Sequence, residues 1–236
     1  MKRNRMFFVT LAAAVIVVGV FILGMTSWEK KQTDDQQGAT ASLSLDTVTA
    51  QMKLAEQPVK GDRKAPIQIV EFGDYKCPSC KVWTDTIYPL LERDYVKTGK
   101  AAFYYMNDPF LAPDSTLAAL AGEYLHKQDE GLFWRYHELM NEKQGVKKEA
   151  WANETFLFQL IQEHFPEVNA ADFQSKLQAR EFESVVNADI EVARKFEVGG
   201  TPTIFINGKM APDGDYESLK AMIEAELQAT TGEATN

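Results

Sequence analysis

Apolar positions fall along this chain with three different spacings, and each spacing predicts a different kind of element. Met6 to Met25 carries no charge and is mostly Val, Ile, Leu, Phe and Ala, with Lys2, Arg3 and Arg5 ahead of it. As a helix, about 20 such residues cross the hydrocarbon core of a bilayer. The basic flank keeps the N-terminus in the cytoplasm and sends the rest of the chain outside. Residues 1–28 therefore read as a cytoplasmic tip and an uncleaved transmembrane anchor. A cleaved signal peptide is the alternative, but its apolar region is shorter and a small-x-small site follows it closely. The nearest such triplet here, Ala39-Thr40-Ala41, lies well downstream. Residues 29–57 are rich in Gln, Thr, Ser, Asp and Lys with little apolar periodicity, which predicts a flexible linker. The remainder, 58–232, is long enough to bury one core, and 233–236 are a tail.

Within that remainder the period switches between strand and helix. Ile67-Gln68-Ile69-Val70-Glu71-Phe72 predicts a mostly buried strand, and Gly73-Asp74-Tyr75 turns out of it. Val82, Trp83, Ile87, Leu90, Leu91 and Tyr95 then recur at helical spacing, with Pro89 placed to kink the helix and Gly99 to end it. Ala101 to Met106 predicts a second strand. From Asp114 to Glu183 only helical stripes occur, carried by Leu117, Leu120, Tyr124 and Leu125, by Leu132, Tyr136, Leu139 and Met140, and by Phe156, Leu157, Leu160 and Ile161. Asp114 and Asn153 are suitable N-caps for the first and third. A further helical run carries Phe173, Leu177, Phe182, Val186 and Ile190. Thr203 to Ile206 returns to strand, Asn207-Gly208 predicts a two-residue hairpin into Lys209-Met210, and Tyr216, Leu219, Met222, Ile223 and Leu227 form a last helix. The order predicts an α/β sheet split by a helical insertion at about 113–183.

Charge and cysteine content narrow the chemistry. Thirty-four acidic residues against 25 basic give a net charge of −9, which argues against nucleic acid as a partner. The only two cysteines, Cys77 and Cys80, lie at the strand-to-helix junction. A disulfide between them closes so small a loop that it is a poor structural staple, which favours redox exchange; half of a metal site and two unrelated cysteines are the other readings of the spacing. Tetrahedral zinc asks for about four ligands, and His126, His137 and His164 have no ligand-type spacing. Those histidines read as surface or satisfied helix residues, and Asp213, Asp215 and Glu217 as solvated loop charges, so no metal site is assigned.

Taken together, Glu71-Phe72-Gly73-Asp74-Tyr75-Lys76-Cys77-Pro78-Ser79-Cys80 and Gly199-Gly200-Thr201-Pro202-Thr203 resemble the motifs of a thioredoxin-fold thiol:disulfide oxidoreductase of the DsbA class. The resemblance covers most of the chain after Pro58. It implies a thioredoxin-like fold with an inserted helical subdomain, and an enzyme whose cofactor is no more than its own redox-active disulfide. Cys77, at the expected helix N-cap with Pro78 at the first helical position, would be the exposed nucleophile, its thiolate stabilised by the amides of Ser79 and Cys80 and by the helix dipole. Cys80 would resolve the mixed disulfide. Glu71 would be buried beneath the pair and move protons to and from Cys80, against the plainer reading of a carboxylate at a strand edge. Thr201-Pro202 would be a cis peptide facing the cysteines. Ser79 stands where DsbA itself has histidine and brings no positive charge, so the resemblance implies an oxidant without fixing its strength. Lys76 and Lys81 read as solvated lysines with little effect. The implied partners are unfolded or reduced secreted proteins, and a DsbB/BdbC-like membrane quinone reductase for reoxidation, with the catalytic domain on the extracytoplasmic side of the cell membrane. A disulfide reductase or isomerase of the same fold, a thioredoxin-fold copper carrier and a tethered, non-enzymatic binding module are the competing functions.

Overall fold

The computed structural model describes residues 45–233; the anchor and most of the linker expected above lie outside the described residues. No described helix is long and apolar enough to cross a membrane. The described residues begin with α1 (Leu45–Gln51) and a 3-10 turn (Leu54–Glu56), followed by β1 (Val59–Lys60) and β2 (Ile67–Gly73). After α2 (Pro78–Thr86) come α3 (Tyr88–Leu91), a π-helical turn (Glu92–Val96) and β3 (Ala101–Asn107). The insertion contributes α4 (Pro113–Gln128), α5 (Glu130–Glu142), α6 (Glu154–His164) and α7 (Ala170–Gln178), and α8 (Glu183–Lys195) leads back to the sheet. β4 (Thr203–Ile206), β5 (Lys209–Met210) and α9 (Tyr216–Glu233) complete the described chain.

The five strands form one sheet in the order β1-β3-β2-β4-β5. β2 runs parallel to β3 and antiparallel to β4, and all seven of its residues are buried, as expected for a central strand covered on both faces. Because side chains alternate along a strand, β2 feeds two cores. Ile67 and Ile69 join the larger one, with Trp83 and the helical insertion; Val70 and Phe72 join a second, with Val48, Met52, Phe205 and Val192. Glu71 is in step with Ile67 and Ile69, beneath the helix that carries the cysteines.

The linker expectation fails over 45–57. Val48, Met52 and Leu54 are buried in the second core, and Gln57 Nε2 donates to the buried Asp189 Oδ1 at 2.8 Å. The segment reads as a spacer because its contacts are isolated apolar side chains on otherwise polar turns, which leave no periodic signal. Met52, fully excluded from solvent, tests this: Met52→Ala is expected to lower unfolding free energy by about 2–4 kcal/mol in urea denaturation, whereas a spacer residue would give no change.

Other boundaries have local causes. Pro89 sits in the first turn of the short α3, after the chain leaves α2 at Ile87, so the expected kink is a break. Asn153 caps α6 by accepting from the Phe156 amide. Asp114 does not cap α4; Ala112 holds that position, Pro113 follows it, and the buried Asp114 carboxylate instead binds Lys76. The single helical run expected through Phe173 to Ile190 is two helices, separated where Arg180 takes a left-handed φ of 53°. Asn207 and Gly208, at φ 48° and 78°, make the expected tight hairpin.

Candidate active site

The turn after β2 is built to deliver Cys77 to the head of α2. Asp74 accepts from the Lys76 amide at 2.8 Å through its carboxylate and from the Cys77 amide at 2.8 Å through its carbonyl. The Leu111 amide binds the other carboxylate oxygen at 3.1 Å. Cys77 then adopts extended backbone as the N-cap, with Pro78 in the first helical position, where its missing N–H removes no helical bond. Both cysteines are free thiols.

The two sulfurs are electrostatically unequal. The Cys77 thiol is pushed down to about 5 by its hydrogen bond with Cys80, helped by Thr201 and the amides of Cys80 and Ser79, with burial opposing. The Cys77 Sγ–H donates to Thr201 O at 3.2 Å. Thr201 Oγ1 is buried without a hydrogen-bond partner in the protein. Cys80 is pushed far above an ordinary thiol by the same bond with Cys77, by burial and by the Glu71 charge. One cysteine is thus a thiolate at neutral pH and the other holds its proton.

Glu71 lies between β3 and β4, opposite Tyr105 and Ile204, and is 1% exposed. This excludes a strand-edge carboxylate. Neither carboxylate oxygen has a partner in the protein, and burial, with the Cys77 charge second, raises its pKa to about 8. The Thr201–Pro202 peptide is cis, and Thr201 O lies against the Cys77 sulfur as described. Beside the pair runs an open cleft of about 450 Å³ between α2 and Pro202, lined by Pro78, Ser79, Val82, Trp83 and Ile87. Val82 is 60% exposed there, and Trp83 is anchored through Nε1–H to Gly214 O at 2.9 Å.

The flanking lysines differ from expectation. Lys76 is buried in an ion pair with Asp114 at 2.6 Å, and Lys81 donates to Asn141 O at 2.6 Å and pairs with Asp85. Neither is among the causes of the Cys77 shift. Gln144, which no local pattern marks, donates from Nε2 to Tyr75 O at 2.8 Å and Cys77 O at 3.0 Å. His137 is buried beside the Tyr75 hydroxyl and Asn141 and held neutral, down to about 3, by burial, in keeping with a satisfied helix histidine.

Comparison with known proteins agrees with this geometry. The thioredoxin family model matches residues 53–225. Disulfide bond formation protein D of Bacillus subtilis is 36% identical over 184 residues, covering 78% of this chain and 82% of that one. The protein named probable disulfide bond formation protein D of Bacillus anthracis is 32% identical over 216 residues, 92% of each chain. The crystal structure of oxidised BdbD from Bacillus subtilis superposes with a TM-score of 0.71 over 74% of this chain and 95% of that one. Chlamydia trachomatis DsbA, at 20% identity and a TM-score of 0.64 over 73% of this chain and 92% of that one, shares the fold. With a cysteine pair of opposed acidities held at a helix N-terminus in this fold, the chain belongs to the disulfide bond formation protein D family of DsbA-like proteins and is a protein thiol:disulfide oxidoreductase.

Proposed function

We propose that the protein donates its Cys77–Cys80 disulfide to reduced, unfolded secreted or membrane proteins. The observation that carries this direction is the opposed acidity of the pair, with Cys77 pushed down to about 5 and Cys80 pushed up. Stabilising the Cys77 thiolate favours the reduced enzyme and so makes its disulfide the better oxidant. In the first step a substrate thiolate attacks Cys77 Sγ, the Cys77–Cys80 bond breaks, and Cys80 leaves as a thiolate. Glu71, kept protonated at neutral pH chiefly by its burial, supplies the proton that Cys80 retains. A second substrate thiolate then attacks the substrate sulfur and expels Cys77, a good leaving group because its thiolate is stable. The substrate loses two electrons and the enzyme pair gains them, so the sulfurs need no further cofactor. Thr201 O, beside Cys77, offers an acceptor to an extended substrate backbone, and the Val82–Trp83 cleft receives its apolar side chains.

An anchor at residues 1–28 would hold this domain on the extracytoplasmic side, where disulfides persist, and a DsbB/BdbC-like membrane quinone reductase would remove the electrons. The direct test mixes the oxidised protein with a reduced, unfolded substrate and counts thiols in both. Substrate oxidation matched by enzyme reduction supports donation; a substrate left reduced, while the dithiol form opens disulfides, favours the reductase reading.

The Glu71 role has its own signature. A carboxyl whose folded pKa is raised contributes stability below its unfolded value, near 4.5, and loses it as pH rises through about 8. Glu71→Gln is therefore expected to stabilise the fold by about 2 kcal/mol at neutral to alkaline pH and by almost nothing near pH 4. The same variant should slow the first exchange step about 100-fold, the lower end of the usual range for general acid catalysis. Denaturation at both pH values, with stopped-flow exchange, reads the two effects separately.

A further inference from the structure

The redox turn is gripped from outside the sheet. Lys76, one residue before the nucleophile, is 1% exposed. Its ammonium donates to Asp114 Oδ1 at 2.6 Å, Asp114 Oδ2 at 2.7 Å and Glu149 O at 2.7 Å, which uses all the N–H donors a lysine has. Asp114, in the first turn of α4, also accepts from the Ala152 amide at 3.2 Å. Gln144 binds the carbonyls on either side of Lys76, those of Tyr75 and Cys77. The start of α4 and the loop 143–153 thus hold residues 75, 76 and 77 in succession.

This polar arrangement exceeds what stability asks for. A buried ion pair can often be replaced by apolar side chains of similar volume without loss of stability, so its presence here points to geometry. The groups that lower the Cys77 pKa are the Cys80 thiol, Thr201 and two amides. Hydrogen bonds weaken steeply with misalignment, so each depends on how the turn aims the sulfur.

We propose that Lys76 and Gln144 are positioning residues for thiol–disulfide exchange: with Asp114 they lock the redox turn to the helical insertion and hold Cys77 in register with the N-terminus of α2. The proposal rests on the oxidoreductase reading of the cysteine pair and adds a contribution from outside the thioredoxin sheet.

The test uses the full chain with two variants. Lys76→Met/Asp114→Leu replaces the pair by apolar groups, and Gln144→Ala, on a half-buried loop position, frees the two carbonyls while leaving the ion pair. Thiolate absorbance is followed against pH in the reduced proteins, where Cys77 titrates alone because Cys80 keeps its proton. The Cys77 midpoint is expected to rise by about one pH unit in each variant. Release of the disulfide to a small dithiol should slow about fivefold, because a more basic Cys77 leaves more slowly. Leu160→Ala, a cavity in the core of α6, destabilises the same subdomain and should move neither reading. An unchanged midpoint in Gln144→Ala, or in the double variant where it folds, overturns the proposal. Absence of any transfer by the unaltered protein would sink the donor reading instead, and it leaves the midpoint comparison intact.

Discussion

Serine in place of Cys80 is expected to trap the protein on a substrate disulfide, whereas serine in place of Cys77 leaves no reactive sulfur; neither variant holds a disulfide to donate. In Cys80→Ser the Cys77 sulfur keeps its position at the N-cap of α2 and its contact with Thr201 O, so it still reacts with a substrate disulfide. The protein then has no second thiol of its own to resolve the product, since these are the only cysteines of the chain, and only a substrate thiol can release it. A mixed disulfide should accumulate and run as a covalent adduct on a non-reducing gel, dispersed by added dithiol. Cys77→Ser removes the bond with Cys77 that is the largest cause of the raised Cys80 pKa, but burial still pushes it up and leaves Cys80 a poor nucleophile under the helix. Loss of disulfide transfer by about 10³-fold or more is expected in both, the usual consequence of removing a covalent nucleophile or its obligate partner. Adduct formation through Cys80 in the Cys77→Ser protein would reverse the roles assigned to the two sulfurs.

The sequence discloses the site better than it discloses what surrounds the site. Cys77, Cys80, Glu71 and Thr201-Pro202 sit in short motifs whose spacing carries the chemistry, and β2, β3 and the Asn207-Gly208 hairpin follow from local periodicity. Lys76 is different. An isolated lysine beside a turn belongs by default in water, and only the carboxylate of Asp114, 38 residues further on, makes its burial tolerable. Asp114 was itself hidden by looking like a helix cap, a role the preceding Ala112 and Pro113 take from it. Gln144 meets the Cys77 carbonyl across 67 residues, and no pattern of a few residues contains such a contact. The fold of residues 45–57 was obscured for a related reason: α1 buries only Val48, and one side chain in a polar helix leaves no period to detect. Pairwise contacts between distant polar or solitary apolar residues are set by the tertiary structure, which alone brings the partners together.

The opposed acidities of the pair have a thermodynamic consequence that separates the two redox forms. Between pH 5 and 9 the reduced protein should gain stability relative to the oxidised one. Folding lowers the Cys77 pKa from 9.0 to about 5, so across this interval the folded reduced chain has released a proton that its unfolded form still holds. Stability then rises with pH by about 1.4 kcal/mol per unit. The gain is complete above the unfolded value, near 9, and is lost as pH falls through the folded value, near 5. Screening by solvent at the surface end of the site removes part of it, leaving on the order of 4 kcal/mol over the window. The oxidised form has no thiol to titrate, and its small loop contributes about 2 kcal/mol at any pH by the chain-entropy relation. The oxidised protein should accordingly be the more stable near pH 5 and the reduced protein near pH 9. Two groups temper the slope. The Glu71 pKa is raised partly by the Cys77 charge, so its ionisation penalty is larger in the reduced form and trims the gain above pH 8. Cys80, raised by folding, contributes stability that is fully present below 9 and lost above it, which sets the upper limit of the useful range. Urea denaturation of both forms at pH 5, 7 and 9 measures the difference. About 30 mV of potential corresponds to 1.4 kcal/mol for a two-electron couple, so the same experiment reports how far the site drives its disulfide toward substrates. A difference that stays flat across the window would mean that Cys77 titrates as an ordinary thiol, and the argument for donation over reduction would lose its physical basis.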